Sequence, residues 1–406
     1  LAICCKALSN RCCRGAFVVT NRPGWLFVLP WSPEYVGGVN QVVKNLYREF
    51  EREQEYRPLL LVPDWSAATA RPAGYAGCDS WFLRLRVPPA DRSVRLWLRY
   101  ALLLPGDLWR LARWLRRENI AVVNFHYPSL AAWPVLLLQR LGWFHGRLIL
   151  SFHGTDVETL ADSLPVTEPR WRQLASLPAT VVVPSAFLAE RLRRHLPWAL
   201  IRVISNGVAS PAPGTLADVT ALESWLAQAP AGPYLLHVGK FGSIKGQDLA
   251  IRVFAGLTDR YPTLSLLLVG SGEFDDLKAL AVSLGVSGKV RFLCDVPHPA
   301  VLQLMRRAVC LLSCSRFESF GLVIIEAGLM GTPVVAMAVG GIPELIRDEQ
   351  NGLLCPPEDV DATRQALVRL LDDKVLACSL AERLGQDARR YYSWSEAYRA
   401  YLDVAK

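Results

Sequence analysis

Short apolar runs alternate along the chain with longer stretches in which apolar positions recur every three to four residues. The runs are three to six residues long and rich in Leu, Val and Ile, which suits buried strands. The longer periodic stretches suit amphipathic helices, and the alternation of the two points to parallel sheets covered by helices on both faces. Strands are expected at Leu26–Leu29, Leu59–Val62, Ala121–Asn124, Leu148–Phe152, Thr180–Val183 and Arg202–Ile204, with helices such as Gly38–Glu53, Leu108–Glu118, Leu130–Leu141 and Ala186–His195 between them. After a stretch rich in Ala, Pro and Gly a second series begins. Its strands are expected at Tyr234–Val238, Leu264–Val269, Val290–Leu293, Val309–Ser313 and Pro333–Ala336, and its helices at Gln247–Leu257, Asp275–Leu284, Pro299–Ala308, Phe320–Met330 and Val360–Asp372. The expected fold class is therefore α/β, with two doubly wound parallel-sheet domains facing a central cleft. The division expected is an N-terminal extension (1–24), a first domain (25–209), a linker (210–232), a second domain (233–385) and a C-terminal helix (386–406) packing back on the first. Ligands of such sheets bind outside the carboxyl ends of the strands, which makes the cleft the expected site.

Composition narrows the classes. With 51% hydrophobic and 20% charged residues in 406, the chain buries large cores and is not disordered. The most apolar stretch, Leu130 to Phe144, is interrupted by Pro134, Gln139 and Arg140 and is shorter than the ~20 residues a membrane-spanning helix requires. Cys4, Cys5, Cys12 and Cys13 are clustered, but their adjacent pairs lack the spacing that brings two thiolates to one zinc ion. The other cysteines stand singly, without a disulfide framework, as in a reducing cytoplasm.

The net charge of +8 is unevenly placed: up to Arg202 there are 26 basic and 15 acidic residues, a net of +11, against 19 and 22 beyond, a net of −3. The densest part, Trp81 to Arg117, holds Arg84, Arg86, Arg92, Arg95, Arg99, Arg110, Arg113, Arg116 and Arg117 among Trp97, Trp109, Trp114 and several Leu. Arg, Trp and Leu at helical spacing suit a helix lying on anionic lipid headgroups, and equally a helix with a solvated Arg face. No helix-turn-helix, zinc-finger or RNA-recognition signature accompanies the charge, so no nucleic-acid partner is expected.

Four segments carry candidate chemistry. The most specific is Ser315-Arg-Phe-Glu-Ser-Phe-Gly-Leu-Val-Ile-Ile-Glu-Ala-Gly, followed by Gly331-Thr-Pro-Val-Val-Ala and Gly340-Gly-Ile-Pro-Glu344. Gly321 separates Glu318, in a loop, from Glu326, in the helix beyond. The backbone N–H groups of Phe320, Gly321 and Leu322 then form an anion cradle at the helix N-terminus. A glutamate one to two turns into that helix can accept hydrogen bonds from a vicinal diol such as a ribose. In Leu236-His-Val-Gly-Lys-Phe-Gly-Ser-Ile-Lys-Gly, Lys240 and Lys245 flank a flexible loop and can neutralise a departing diphosphate. Lysine is scarce, eight against 37 Arg, so two in six residues stand out. In Pro30-Trp-Ser-Pro-Glu-Tyr-Val-Gly-Gly-Val-Asn, Gly37 and Gly38 let a ligand approach the backbone where a helix opens. Ser151-Phe-His-Gly-Thr-Asp places His153 at a strand end in the cleft, and His126, in Asn124-Phe-His-Tyr-Pro, is a second strand-end candidate.

At these residues the sequence resembles the family-4 retaining glycosyltransferases, whose GT-B fold has two Rossmann-like lobes. The resemblance runs from about Leu26 over nearly the whole chain, and the E-x7-E pair with its G-x-P-V-V tail carries it. It implies transfer of a hexose-type sugar from a nucleotide-diphosphate sugar to a saccharide or lipid-linked saccharide, with retained anomeric configuration, no metal and no cofactor. It further implies that Glu326 binds the ribose hydroxyls, Glu318 the donor hexose, and Lys240 and Lys245 the diphosphate. The Gly37-Gly38 loop would close over diphosphate and acceptor, with His153 beside the donor sugar. Cys294 stands where the family has Gly after a Phe-Leu pair, and Lys240 where Arg is common; the second change keeps the charge but loses bidentate geometry. A role in bacterial surface polysaccharide or glycolipid synthesis is expected, in the cytoplasm or peripherally on the inner face of the plasma membrane. The alternatives are a nucleotide-sugar epimerase of the same fold and an inactive, membrane-binding relative.

Overall fold

The computed structural model describes residues 22–35, 37–75, 77–89, 93–174, 179–208 and 219–406. The clustered cysteines at 4, 5, 12 and 13 and most of the expected N-terminal extension lie outside them. The first sheet is built from β1 (Gly24–Val28), β2 (Arg57–Pro63), β3 (Arg71–Pro72), β4 (Ser80–Leu83), β5 (Ile120–His126), β6 (Arg147–Ser151), β7 (Thr180–Val183) and β8 (Ile201–Val203). Its order is β3-β4-β2-β1-β5-β6-β7-β8, parallel throughout except for the β3–β4 pair. The second sheet has β9 (Tyr234–Val238), β10 (Ser265–Gly270), β11 (Val290–Cys294), β12 (Cys310–Ser313), β13 (Val334–Met337) and β14 (Leu353–Cys355). It is wholly parallel, in the order β11-β10-β9-β12-β13-β14.

Strand periodicity explains the apolar runs. Successive side chains leave a strand on opposite faces, so a strand covered on both sides is apolar at every position. In the first sheet Leu26, Leu59, Leu61, Val123, Leu148 and Leu150 join one core, and their neighbours Trp25, Phe27, Leu60, Val122 and Ile149 join the other. The second sheet divides in the same way, with Leu236, Leu267 and Leu311 on one face and Leu235, Leu266 and Leu312 on the other.

The strands Arg71–Pro72, Ser80–Leu83 and Leu353–Cys355 were not among those expected, and three expected segments differ in extent or content. The first is the helix expected at Leu108–Glu118, which begins instead at Val94 and runs to Arg117 with Pro105 inside it. Its second half buries Leu108, Leu111, Trp114 and Leu115 in the core, while its first half leaves Val94, Leu98 and Leu102 at 67–80% exposure. The apolar signal was therefore strong only where the helix meets the sheet. The second is the expected linker, 210–232, which contains a helix, Val219–Leu226, whose Leu226 is buried in the second lobe's core. The third is residues 386–391, expected to belong to the C-terminal segment: they finish the helix Lys374–Tyr391, which packs on the second lobe through Leu384 and Ala388.

The last helix, Trp394–Ala405, crosses to the first lobe. Its Trp394, Ala397, Tyr398 and Tyr401 cover Trp25, Phe27 and Phe50. The crossing point is tight, because Val208 N–H donates to the Tyr392 carbonyl at 2.8 Å. A Cβ on Gly207 would lie 2.4 Å from the backbone nitrogen of Trp394, so only glycine fits there.

Candidate functional site

Both sheets reverse their strand order once, in the first between β1 and β5 and in the second between β9 and β12. At such a switch the loops leaving two neighbouring strands diverge and open a crevice at their carboxyl ends. The loops concerned are those holding Gly37 and Gly38 (after β1), Tyr127 (after β5), Lys240 and Lys245 (after β9) and Glu318 (after β12). Topology thus carries residues more than 70 positions apart to the same edge.

In the second lobe the Lys245 ammonium donates to Glu318 Oε2 at 2.5 Å, and both side chains are mostly sheltered. Gly246 (φ +67°) makes this approach possible: a Cβ there would stand 1.9 Å from the Cys314 carbonyl oxygen. Gly340 (φ +59°) does the same on the other side, where a Cβ would stand 1.8 Å from the Glu318 carbonyl oxygen, and Gly341 N–H donates to that carbonyl at 2.9 Å. Gly321 (φ +106°) precedes the helix Leu322–Met330, and Phe320 is buried against Tyr392. Glu326 is not joined to the Lys245–Glu318 pair. Its partner is His298, at 2.8 Å. Lys240 is exposed, and among the described residues its ammonium has no ion-pair partner, while its carbonyl is held by Gln247 at 3.0 Å.

In the first lobe His153 and Gly154 offer their backbone N–H groups to the Asp156 carboxylate at 2.7–3.0 Å. His153 Nε2 meets His126 Nδ1 at 3.0 Å, with the two rings stacked at 22°. Gly37 and Gly38 line an open cavity of about 320 Å³ with Trp31, Tyr35, Val39 and Asn40. The backbone there does not demand glycine, since φ of Gly37 is 175°; what the pair supplies is room, because a Cβ at either position would meet nothing within 4 Å.

The two lobes meet at this edge. Ser185 Oγ donates to the Ser319 carbonyl at 2.6 Å, next to Glu318. The Glu344 carboxylate accepts N–H bonds from Ala186 and Phe187, at 2.8 and 2.7 Å, and so satisfies two donors at the N-terminus of the first-lobe helix Ala186–His195. A Cβ on Gly154 would lie 2.9 Å from Ser319 Cβ, which shows how closely the His153 loop and the Glu318 loop approach. Sequence reasoning quoted Glu344 without giving it a role and passed over Ser185, Ser319 and His298. Only Ser185 had a local signal, as the serine cap of its own helix. Among the described residues no group of three or more His, Cys, Asp or Glu is arranged to hold a metal ion, and no helix is long and apolar enough to cross a membrane.

Two facing doubly wound sheets with a charged, glycine-shaped edge at their switch points define the architecture of GT-B glycosyltransferases. Residues 36–210 match the model of Glycosyltransferase Family 4, and residues 226–391 that of glycosyl transferases group 1. The chain belongs to glycosyltransferase family 4. It is 28% identical over 397 residues to phosphatidyl-myo-inositol mannosyltransferase of Mycobacterium leprae, covering 93% of this chain and 96% of that one. Among solved structures it is similar to sucrose-phosphate synthase of Thermosynechococcus elongatus (TM-score 0.72, 21% identity, 94% and 98% of the two chains). It is also similar to Anabaena HepE, solved with UDP and glucose (TM-score 0.70, 19% identity, 94% and 99%).

Two predictions follow from the geometry. Burial pulls His153 and His237 down to about 4 and His126, with His153 beside it, well below the ordinary 6.5. These imidazoles stay neutral in the folded chain but take protons near pH 6.5 once unfolded, so their contribution is complete above that pH and is lost as pH falls toward 4. Two groups work in the opposite sense: Asp156, raised to about 6 by burial, and His298, raised by its hydrogen bond to Glu326, both gain protons more readily when folded. Elsewhere burial raises Glu51 and Asp79 as well, while hydrogen bonds hold Asp64, Glu158 and Asp248 down and so side with the three histidines; with the largest shifts among those histidines, the thermal midpoint should drop between about pH 7 and pH 4.5, and His237→Gln should blunt the drop. Calorimetry across that range checks this; a flat profile refutes it. The second prediction concerns the seam. Glu344→Ala should cost about 1 kcal/mol, the value of a helix-capping interaction, and should enlarge the radius of gyration in small-angle scattering by letting the lobes part.

Proposed function

We propose that the protein is a retaining, metal-independent hexosyltransferase that uses a nucleotide-diphosphate sugar and acts on a saccharide or lipid-linked saccharide in bacterial surface polysaccharide or glycolipid synthesis. The observation that carries this reading is the meeting of Lys245, Glu318 and the His153 loop at one edge. A diphosphate seated by Lys240, Lys245 and the N–H groups near Gly321 leaves with its charge matched by cations and helix dipole, without a metal. Glu318 then holds donor hexose hydroxyls, Glu326 the ribose and His153 the sugar on its other side. The acceptor hydroxyl enters past Gly37 and Gly38 on the face the diphosphate leaves, and a diphosphate oxygen takes its proton, so no side chain need be a strong base. The full-length likeness to a phosphatidyl-myo-inositol mannosyltransferase supports a lipid-linked acceptor.

The kinetic test uses two variants. Lys245→Ala should lower kcat by ~100-fold with little change in donor KM, because its charge matters most as the diphosphate departs. Glu326→Ala should chiefly raise donor KM. Wild-type kinetics in both variants would reject the site.

The long helix favours a location for the protein. On Val94–Arg117 the exposed Val94, Leu98, Leu102 and Trp109 form a stripe at four- to seven-residue spacing beside Arg95, Arg99 and Arg113. An apolar stripe bordered by guanidinium groups fits the headgroup boundary of an anionic membrane and so a peripheral position on the inner face of the plasma membrane. Replacing Arg95, Arg99 and Arg113 by Glu should abolish flotation with phosphatidylglycerol vesicles while sparing transfer to a soluble acceptor; undiminished flotation would reject the assignment.

A further inference from the structure

We propose that His126 is a positioning residue that holds His153 as its Nδ1–H tautomer, so that the ring nitrogen left for a ligand is a hydrogen-bond donor and cannot act as a base. The inference rests on the reading of His153 as a neighbour of the donor sugar, but its central claim concerns the resting protein.

The argument begins with hydrogen-bond accounting. A neutral imidazole has one N–H and one lone-pair nitrogen. His126 Nδ1 and His153 Nε2 are 3.0 Å apart, so one of them donates and the other accepts. The choice is made by the far nitrogen of His126. Its Nε2 is buried and has no hydrogen-bond partner among the described residues. Of the polar groups in the same layer, Ser151 Oγ donates to Asn124 Oδ1 at 2.8 Å and pairs with the Tyr401 hydroxyl at 3.2 Å; what Asn124 leaves unpartnered is its Nδ2, a donor, which offers a His126 N–H no acceptor. Phe27 and Tyr401, whose ring centres lie 5.7 and 6.4 Å from His126, are tilted by only 32° and 41° to its plane. Such shallow angles keep their π faces away from an in-plane N–H.

If His126 accepted at Nδ1, its proton would sit on Nε2 as a buried donor with no acceptor, the kind of orphan that folded proteins avoid most consistently. If His126 donates from Nδ1, its Nε2 is a bare lone pair among aromatic rings and no N–H is stranded. The second arrangement makes His153 Nε2 the acceptor and places the His153 proton on Nδ1. Burial keeps both rings neutral at physiological pH, so the pair does not escape by taking up a second proton. His153 is half-buried and its ring is stacked on that of His126, which opposes a turn that would exchange its nitrogens.

The consequence is chemical. A His153 that presents N–H recognises a lone-pair oxygen, such as a sugar hydroxyl, and cannot take the proton of the attacking hydroxyl, which must then go to the departing diphosphate.

The test reads the tautomer directly. Two-bond proton–nitrogen correlation spectra are recorded on the full chain with nitrogen-labelled histidine, without substrate, and assigned by the signals lost in His153→Asn and His126→Phe. The expected wild-type result is an Nδ1–H pattern for both residues. His126→Phe keeps an aromatic ring in the stack and removes the donor. It should release His153 toward the Nε2–H form and lower kcat by about tenfold, the worth of one hydrogen bond, at little-changed donor KM. An Nε2–H His153 in the wild type overturns the proposal, as does a folded His126→Phe protein with unchanged tautomer and kcat. Should His126→Phe fail to fold, the wild-type spectrum decides alone. Because that spectrum needs no turnover, a protein with the expected tautomer and no transferase activity would refute the functional reading and not this one.

Discussion

The N-terminus of the helix Ala186–His195 has N–H groups that its own turns cannot satisfy, and their acceptor lies in the other lobe. Glu344 supplies it, while Ser185 returns a hydroxyl to the carbonyl beside Glu318. Much else depends on this exchange, because the two sheets share no strand. Where Glu318 stands relative to His153 is set by a few hydrogen bonds across the seam and by Phe317, which packs on the first lobe's core beside Phe187 and Arg191. Each such bond contributes roughly 0.5–1.5 kcal/mol net, somewhat more when charged and less when exposed, as Glu344 is. The closed arrangement is therefore held strongly enough to align the edge and weakly enough for thermal motion to open it, as suits a cleft that must admit a large donor and release a diphosphate.

Within each lobe the strand order does comparable work. A switch in order parts two loops at one point of a sheet edge, and the switch in the second sheet falls where the Lys245 and Glu318 loops leave β9 and β12. The close glycines at 246 and 340 then bring backbone against backbone, which lets a short ammonium–carboxylate contact form between segments distant in sequence. The Lys245–Glu318 pair leaves neither charge bare in a sheltered site, whereas Lys240 is exposed.

Much of this was legible in the chain. Strands covered on both faces are apolar at every position, so most strands of both sheets stood out, with boundaries off by two residues at most. Those missed were short or lay at sheet margins: Arg71–Pro72 and Ser80–Leu83 at one margin of the first sheet and Leu353–Cys355 at one margin of the second. The protruding half of the helix Val94–Arg117 was legible only as Arg, Trp and Leu at helical spacing within Trp81–Arg117 and not as a bounded element, because its apolar positions face solvent and carry no core-facing period. At the candidate site, Glu318, Glu326 and Lys245 were singled out in the sequence because their spacing and glycine context are local. Their partners were not: His298 for Glu326, Ser185 for Ser319 and Glu344 for the helix 186–195 are contacts between elements far apart in sequence, and only Ser185 had a local pattern to mark it.

The last helix has a consequence for how the chain is made. The core on one face of the first sheet contains Trp25, Phe27 and Phe50 from the beginning of the chain and Trp394, Tyr398 and Tyr401 from its end. The second sheet and its helices are drawn almost wholly from one contiguous stretch, Leu226 to Tyr392, apart from Val208. During synthesis the first lobe must therefore wait, with a broad aromatic face uncovered, until residues 394–401 have been made and have left the ribosome, while the second lobe can complete its core sooner. The order of translation and the order of completion are reversed. The interval between them is when this protein is most exposed to aggregation and most in need of a chaperone.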